Sequence, residues 1–198
     1  MSFPKRILFC ILMCALVAPA QASDNPATYD ITHVYSNVSF NITKFSFKEE
    51  GGFRQYSGKI FYDPDHPERS HVQMIVQAES IDTRDEGRDR ALRSDNFFDV
   101  ARYPTLSFVS TSIAPKQNGM LDVAGDLTIH GVTKHITIPV HFLGTKQMQG
   151  WGDFIGFNTE FTIDRTEFGV NGGSSWAGIL GKEVEIHLSV GAFREGER

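Results

Sequence analysis

The sequence predicts an all-β fold: an antiparallel, eight-stranded barrel with one short helix capping an end. Three observations lead there. Apolar and polar residues alternate with period two along most of the chain, the breaks between alternating runs are short, and only residues 85–99 lose the alternation. Few stretches are long enough for a crossover helix, so the strands are mainly antiparallel. A sheet of this size closes into a barrel or splits into a sandwich. The lone helical segment between strands favours a barrel whose end it covers. Eight strands enclose an interior that is either filled by side chains or holds one small ligand.

The elements follow in order. Tyr29, Ile31 and His33 share one face, and Val38, Phe40 and Ile42 the next. Gly51-Gly52 suggests a turn, after which Tyr56, Gly58, Ile60 and Tyr62 align. DPDHPE (63–68) is a turn-rich loop. Val72, Met74, Val76 and Ala78 form another stripe. In 85–99, Ala91, Leu92 and Asn96 to Phe98 recur at helical spacing, and Tyr103-Pro104 ends the segment because a residue before proline avoids the helical region. Strands resume with Leu106 and Phe108, then Leu121, Val123, Leu127 and Ile129. GVTK (131–134) reads as the next turn. Ile136, Ile138, Val140 and Phe142 follow, then Ile155, Phe157, Thr159, Phe161 and Ile163. A Gly/Ser-rich loop (172–183) containing Trp176 precedes the last stripe, Val184, Ile186, Leu188 and Val190.

Residues 1–22 carry the marks of a cleaved secretory signal peptide. Lys5 and Arg6 supply a positive start, Ile7 to Val17 is almost wholly apolar, and Ala20-Gln21-Ala22 is a small-x-small cleavage site. The apolar run is short for a membrane span, so no stable span is expected. The mature chain is expected to be one domain, 23–198, in the periplasm. Both cysteines, Cys10 and Cys14, fall inside the leader, and Phe9 and Met13 stand where a lipid-attachment signal needs small residues. A cysteine-free mature chain excludes disulfides, thiol catalysis and thiolate metal sites. It is long enough to hold itself by its core.

Charge narrows the function further. The full chain carries −5, and the leader contributes only two cations to it, so the mature chain is more acidic still. Nucleic-acid binding rests on cationic contacts to phosphate, and no nucleic-acid partner is expected. There is no G-x-S-x-G elbow, and no catalytic residue is assigned. His130 and His135 flank the GVTK turn but make only two ligands, fewer than a zinc site uses, so no metal and no cofactor are expected. Alternation turns His130 outward. His66 and His71 are loop residues beside acidic neighbours.

The candidate binding residues are apolar. Sixteen phenylalanines occur, all but Phe3 and Phe9 beyond the leader. The faces assigned to the interior carry Val38, Phe40, Ile42, Ile60, Val76, Phe108, Leu127, Ile138, Phe142, Phe157, Phe161 and Ile186. Leu92, Phe97 and Phe98 lie on the helical segment. Composition by itself favours an ordinary filled core, since apolar interiors are the rule. The cluster 82–95 alternates in charge, with Glu86–Arg90 and Asp89–Arg93 as stabilising i,i+4 pairs. A solvated helix face accounts for it. If the barrel holds a ligand, His33, Arg90 and Arg93 are the head-group candidates, arginine because of its fixed fork of donors.

Two stretches carry a resemblance. RDRALRSDNFFDVARYPTLSF (88–108) and GDLTIHGVTK (125–134) resemble the YceI-like family, small bacterial proteins with a lipocalin-like barrel. FTIDRTEFGV followed by GILGKEVEIHLSV is similar to that family's paired last strands. The resemblance spans Tyr29 to Ala192. His135 departs from it, standing where a proline is common, and the 170–181 loop is richer in Gly and Ser. The resemblance implies a tunnel for a long-chain isoprenoid or other lipid, such as a quinone precursor or fatty-acid derivative, with no catalysis and with a homodimer possible in the family. It moves the apolar stripes from filled core to cavity wall. The rivals are an enzyme acting on a bound lipid and a solid-cored interaction module, and a cavity volume separates the last from the others.

Overall fold

The computed structural model describes residues 26–176 and 178–196. The leader and its cleavage site lie outside the described residues. Eleven strands and one α-helix make up the described fold. They are β1 (Ala27–Ile31), β2 (Asn37–Lys44), β3 (Phe47–Phe53), β4 (Tyr56–Tyr62), β5 (His71–Gln77), β6 (Ile81–Asp82), α1 (Glu86–Arg93), β7 (Thr105–Pro115), β8 (Met120–Ile129), β9 (Val132–Met148), β10 (Gly152–Asp164) and β11 (Leu180–Arg194).

All pairings are antiparallel. The strand order is β1-β4-β5-β7-β8-β9-β10-β11, and β1 pairs back onto β11, closing an eight-stranded barrel. β11 has a second neighbour along its first half. Ser189 back to Leu180 pair with Asn37 to Lys44 of β2, whereas Ala192 to Arg194 pair with Ile31 to Tyr29 of β1. β2 then carries β3 and the two-residue β6. The wall therefore splits at one end, where β2, β3 and β6 flare from the ring. Helix α1 and the turns after it cover that opening.

Local chemistry explains the departures from period-two reading. Gly51-Gly52 is not a turn but the interior of β3. A β-carbon on Gly51 would stand 2.5 Å from the Phe40 ring, and one on Gly52 would stand 2.7 Å from the Val38 carbonyl oxygen. Glycine is there for close approach. The real turn is Phe45-Ser46, between the paired ends Lys44 and Phe47. The next hairpin turns at His130-Gly131, both with positive φ (50° and 74°), as a two-residue hairpin requires, so Val132 to Lys134 already belong to β9. The helix is shorter than 85–99. Asp85 caps it by accepting the Arg88 N–H (2.7 Å), and it ends at Arg93. Phe97 and Phe98 sit in the tight turns that follow.

His33 leaves the inward stripe altogether. The Thr32 hydroxyl accepts the Val34 N–H and starts a short 3-10 turn between β1 and β2. His33 is exposed there, its ring 4.6 Å from that of Tyr56. At the end of the barrel away from α1, Phe193 faces outward yet is only 1 % exposed, because Tyr35, Trp151 and Phe154 cover it.

Three carboxylates are held below their ordinary range by the bonds they accept. Asp82 takes the Arg84 N–H and the Arg54 side chain, Asp164 takes the Thr166 hydroxyl and N–H, and Glu185 takes the Lys48 ammonium. Each folded value lies below the unfolded one. The contribution is therefore complete above the unfolded carboxylate range and lost as pH falls through the folded value. Thermal melts are expected to lose stability below about pH 4, and a variant combining Asp82→Asn, Asp164→Asn and Glu185→Gln should show a shallower acid-side loss. An unchanged acid slope in that variant contradicts the assignment.

Candidate functional site

The barrel is hollow. Its inward side chains surround a cavity of about 590 Å³ whose wall is almost wholly aliphatic and aromatic. Every strand of the closed ring except β1's outer residues contributes, and alternation places the wall. β2 presents Val38, Phe40 and Ile42, β4 Ile60, β5 Val76, β7 Phe108, β8 Leu127, β9 Ile138, β10 Phe157 and Phe161, and β11 Ile186, while Leu92, Phe97 and Phe98 close the α1 end. Two glycines help keep it open. The Phe40 ring lies over Gly51, and the Phe108 ring lies over Gly125, where a β-carbon would come within 2.6 Å of it. The ends of both rings take up the space that a β-carbon would fill.

Phe142 is a correction. It shares the inward phase with Ile138 and Val140 but sits beyond the cavity. There it packs 5.0 Å from the Tyr62 ring and 5.2 Å from Phe157. Tyr29, Ile60, Tyr62, Ile155 and Ala192 complete this packed end, against which Phe142 lies. The cavity is thus closed at the end away from α1. Burial also raises the Tyr62 phenol above its ordinary range, with Asp63 beside it adding to the shift.

The other end reaches the surface. Exposed Glu50, Asp85 and Gly87 belong to the wall there, between β3 and the N-terminus of α1. Two ion pairs bridge the gap, Arg88–Glu49 at 2.6 Å and Arg84–Glu50 at 2.7 Å. Arg88 also donates to the Thr83 hydroxyl and carbonyl, both at 2.7 Å. Asp89, buried, accepts the Thr83 N–H (2.8 Å) and hydroxyl. This replaces the expected Asp89–Arg93 pair: the helix turns Asp89 inward to anchor on Thr83, just after β6, and Arg93 donates to the Glu79 and Ile81 carbonyls. Arg90 is exposed, and His33, Arg90 and Arg93 all lie off the cavity wall. The cations on the wall are instead Lys44, Arg88 and Arg165.

Arg165 was invisible to pattern reading. Its buried guanidinium donates to the carbonyls of Val170, Leu180 and Gly181, fastening the turn after β10 to the start of β11. Burial pushes its pKa down, with Asp164 opposing the shift. The fastened loop brings Phe168, Val170 and Trp176 to the wall. Gly172, at φ 77°, is required beneath Phe97, because a β-carbon would meet that ring at 2.6 Å. Trp176 in turn packs on Phe97 at 6.2 Å and carries the Lys44 ammonium 5.5 Å above its ring. These loop residues obey no period, and only the fold gathers them.

The histidines do not converge. His135 pairs with Asp126 on the outer face and His130 packs 4.5 Å from Tyr103. Among the described residues no group of three or more histidines and carboxylates stands close enough to hold a metal. No described helix is long and apolar enough to cross a membrane.

A closed antiparallel barrel around an apolar chamber, with one helix over its mouth, defines the lipocalin-like class of small barrels. The chain belongs to the YceI-like family: residues 29–192 match the family's YceI-like domain. A UPF0312 protein of Vibrio cholerae is 30 % identical over 188 residues, covering 93 % of this chain and 97 % of its own. One from Shewanella denitrificans is 33 % identical over 170 residues, covering 84 % of this chain and 87 % of its own. Among solved structures, BcnA of Burkholderia cenocepacia superposes with a TM-score of 0.76 at 27 % identity, covering 82 % of this chain and 99 % of that one. A polyisoprenoid binding domain from Saccharophagus degradans shares the fold with a TM-score of 0.66 at 17 % identity, covering 86 % of this chain and 99 % of that one.

The two phenylalanines of the mouth turn differ in kind. Phe97 is buried among Leu127, Ile129, Phe168 and Val170, whereas Phe98 is half-buried on the wall beside Phe53 (5.9 Å). Phe97→Ala is expected to cost about 3–5 kcal/mol in chemical denaturation, as core truncations do. Phe98→Ala should cost clearly less. Equal losses would show that both rings are plain core.

Proposed function

We propose that this protein binds one long apolar molecule, a polyisoprenoid or a comparable lipid, and carries it through the periplasm without altering it chemically. The observation that supports this most is the cavity: about 590 Å³, within the range of small-molecule sites, and walled by aliphatic and aromatic side chains. A solid-cored module has no such space. Ten methylenes buried in it contribute about 8 kcal/mol, the free energy of a micromolar complex before the chain's ordering is subtracted. Membership of the YceI-like family and the polyisoprenoid-binding relative from Saccharophagus point the same way. The leader reading of residues 1–22 supports the compartment.

Recognition in this reading is of the tail. Of the three wall cations, Arg88 is neutralised by Glu49, Arg165 is committed to backbone carbonyls and Lys44 rests over the Trp176 ring, which leaves at most one point charge for an anionic head group. A prenyl alcohol and its phosphate should therefore bind within about tenfold of each other, with weak salt dependence and a negative heat-capacity change.

Trp176 provides the reporter, because it lines the cavity and the chain has only one other tryptophan, Trp151. In a Trp151→Phe background, titration with a long-chain prenyl alcohol should shift Trp176 emission to the blue and saturate at one ligand per chain. Gly51→Ala should weaken that titration while the protein stays folded, since the new methyl drives the Phe40 ring into the chamber. If calorimetry detects no uptake of a prenyl alcohol or a fatty acid by the wild type, the proposal is wrong.

A further inference from the structure

The hairpin between β2 and β3 carries two largely exposed phenylalanines at its tip. Phe45 is 69 % and Phe47 74 % exposed, the two most exposed aromatic residues among those described. Three features set this tip apart from scattered surface apolar residues. Phe45 holds a positive φ (56°) at the first of two turn residues, where glycine is usual. A bulky side chain there is strained and is not retained for the turn's own sake. The tip is braced, since the Phe45 N–H donates to the Ile179 carbonyl at 2.9 Å. And Phe47 stands in phase with Glu49 and Phe53 and opposite Lys44, all three on the cavity wall. The inner face of the barrel thus continues past the rim onto the tip, beside the mouth.

We propose that this tip docks on a lipid bilayer surface, placing the mouth against the membrane so that the cargo passes between bilayer and cavity. The proposal rests on the lipid-carrier reading. The tip stands beside the mouth, so a surface that covers it can also take up an apolar cargo, as a bilayer does. Lys44, over the Trp176 ring, and Lys48, paired with Glu185, flank the two rings, and aromatic residues beside long cationic stems are the usual anchors at a membrane interface. Two rings fall far short of the roughly 1,200 Å² that a stable protein interface buries. The gate above the mouth is also made of partly exposed ion pairs, which hold weakly and part readily.

The test uses the mature protein, first without ligand, and vesicles of phosphatidylethanolamine with a minority of phosphatidylglycerol. The wild type should sediment with the vesicles. The double variant Phe45→Gly, Phe47→Thr should keep the wild-type melting temperature, because glycine suits the turn and threonine suits an exposed strand. It should lose vesicle binding by about tenfold or more. Its affinity for a prenyl alcohol in solution should be unchanged, while transfer of a fluorescent prenyl alcohol between vesicles slows. Trp151→Ser, at the opposite end of the barrel, should change neither vesicle binding nor transfer between vesicles. A wild type that takes up prenyl alcohol but ignores vesicles overturns this proposal alone. One that binds vesicles through the tip yet takes up no prenyl alcohol leaves the docking standing and removes the carrier reading. Equal sedimentation of the double variant, or loss only in Trp151→Ser, overturns the docking. So does a dimer that ultracentrifugation detects in the wild type and not in the double variant, without vesicle binding, which would make the tip a contact between copies.

Discussion

Closure of the sheet on β11 is the constraint from which the rest of the structure follows. β11 pairs with β10 along one edge and, along the other, with β2 for its first half and β1 for its last three paired residues. That double partnership does two things at once. It seals the ring at the β1 end, where inward side chains meet and pack. It also peels β2 and β3 away from β4 at the other end, so the ring cannot close there by strand pairing alone. One end becomes a core, the other a mouth.

The cavity is a consequence of that geometry and of where small residues fall. Eight strands set a diameter that large side chains on every inward position would fill. Glycines at 51 and 125 remove wall thickness opposite Phe40 and Phe108, and the rings settle into that space instead of the centre. At the end away from α1, Tyr62, Phe142 and Phe157 meet ring to ring, and Tyr62 and Phe157 form the floor of the cavity.

The mouth is held by polar contacts of very different strength. Thr83 to Asp89 and Arg165 to its three carbonyls are buried or nearly so, and breaking them leaves unsatisfied groups out of water. Arg84–Glu50 is exposed and contributes little. The framework of the mouth is therefore firm and its latch is weak, which is the combination a chamber needs if a long chain is to enter without unfolding the barrel.

Much of this was legible in the residues themselves. Period-two alternation located the strands and their inward faces, and eleven of the twelve strand residues named from it lie on the cavity wall, because in a strand the facing of a side chain is a local property. The family resemblance rested on linear motifs and needed no fold. What alternation does not carry is position along the barrel axis, so Phe142 has the right phase and the wrong depth. Nor does it carry the contacts of irregular backbone. His33 was lost from the interior through a turn started by a threonine hydroxyl. Asp89 faces inward because its partner Thr83 lies in the irregular link before the helix. Arg88, and neither Arg90 nor Arg93, reaches the mouth because helix α1 docks with that face toward β3. Lys44, Arg165, Phe168 and Trp176 come together only when β11 closes the ring. Facing is written in neighbouring residues, whereas depth and convergence depend on how strands and loops meet once the ring has closed, and that only the tertiary structure decides.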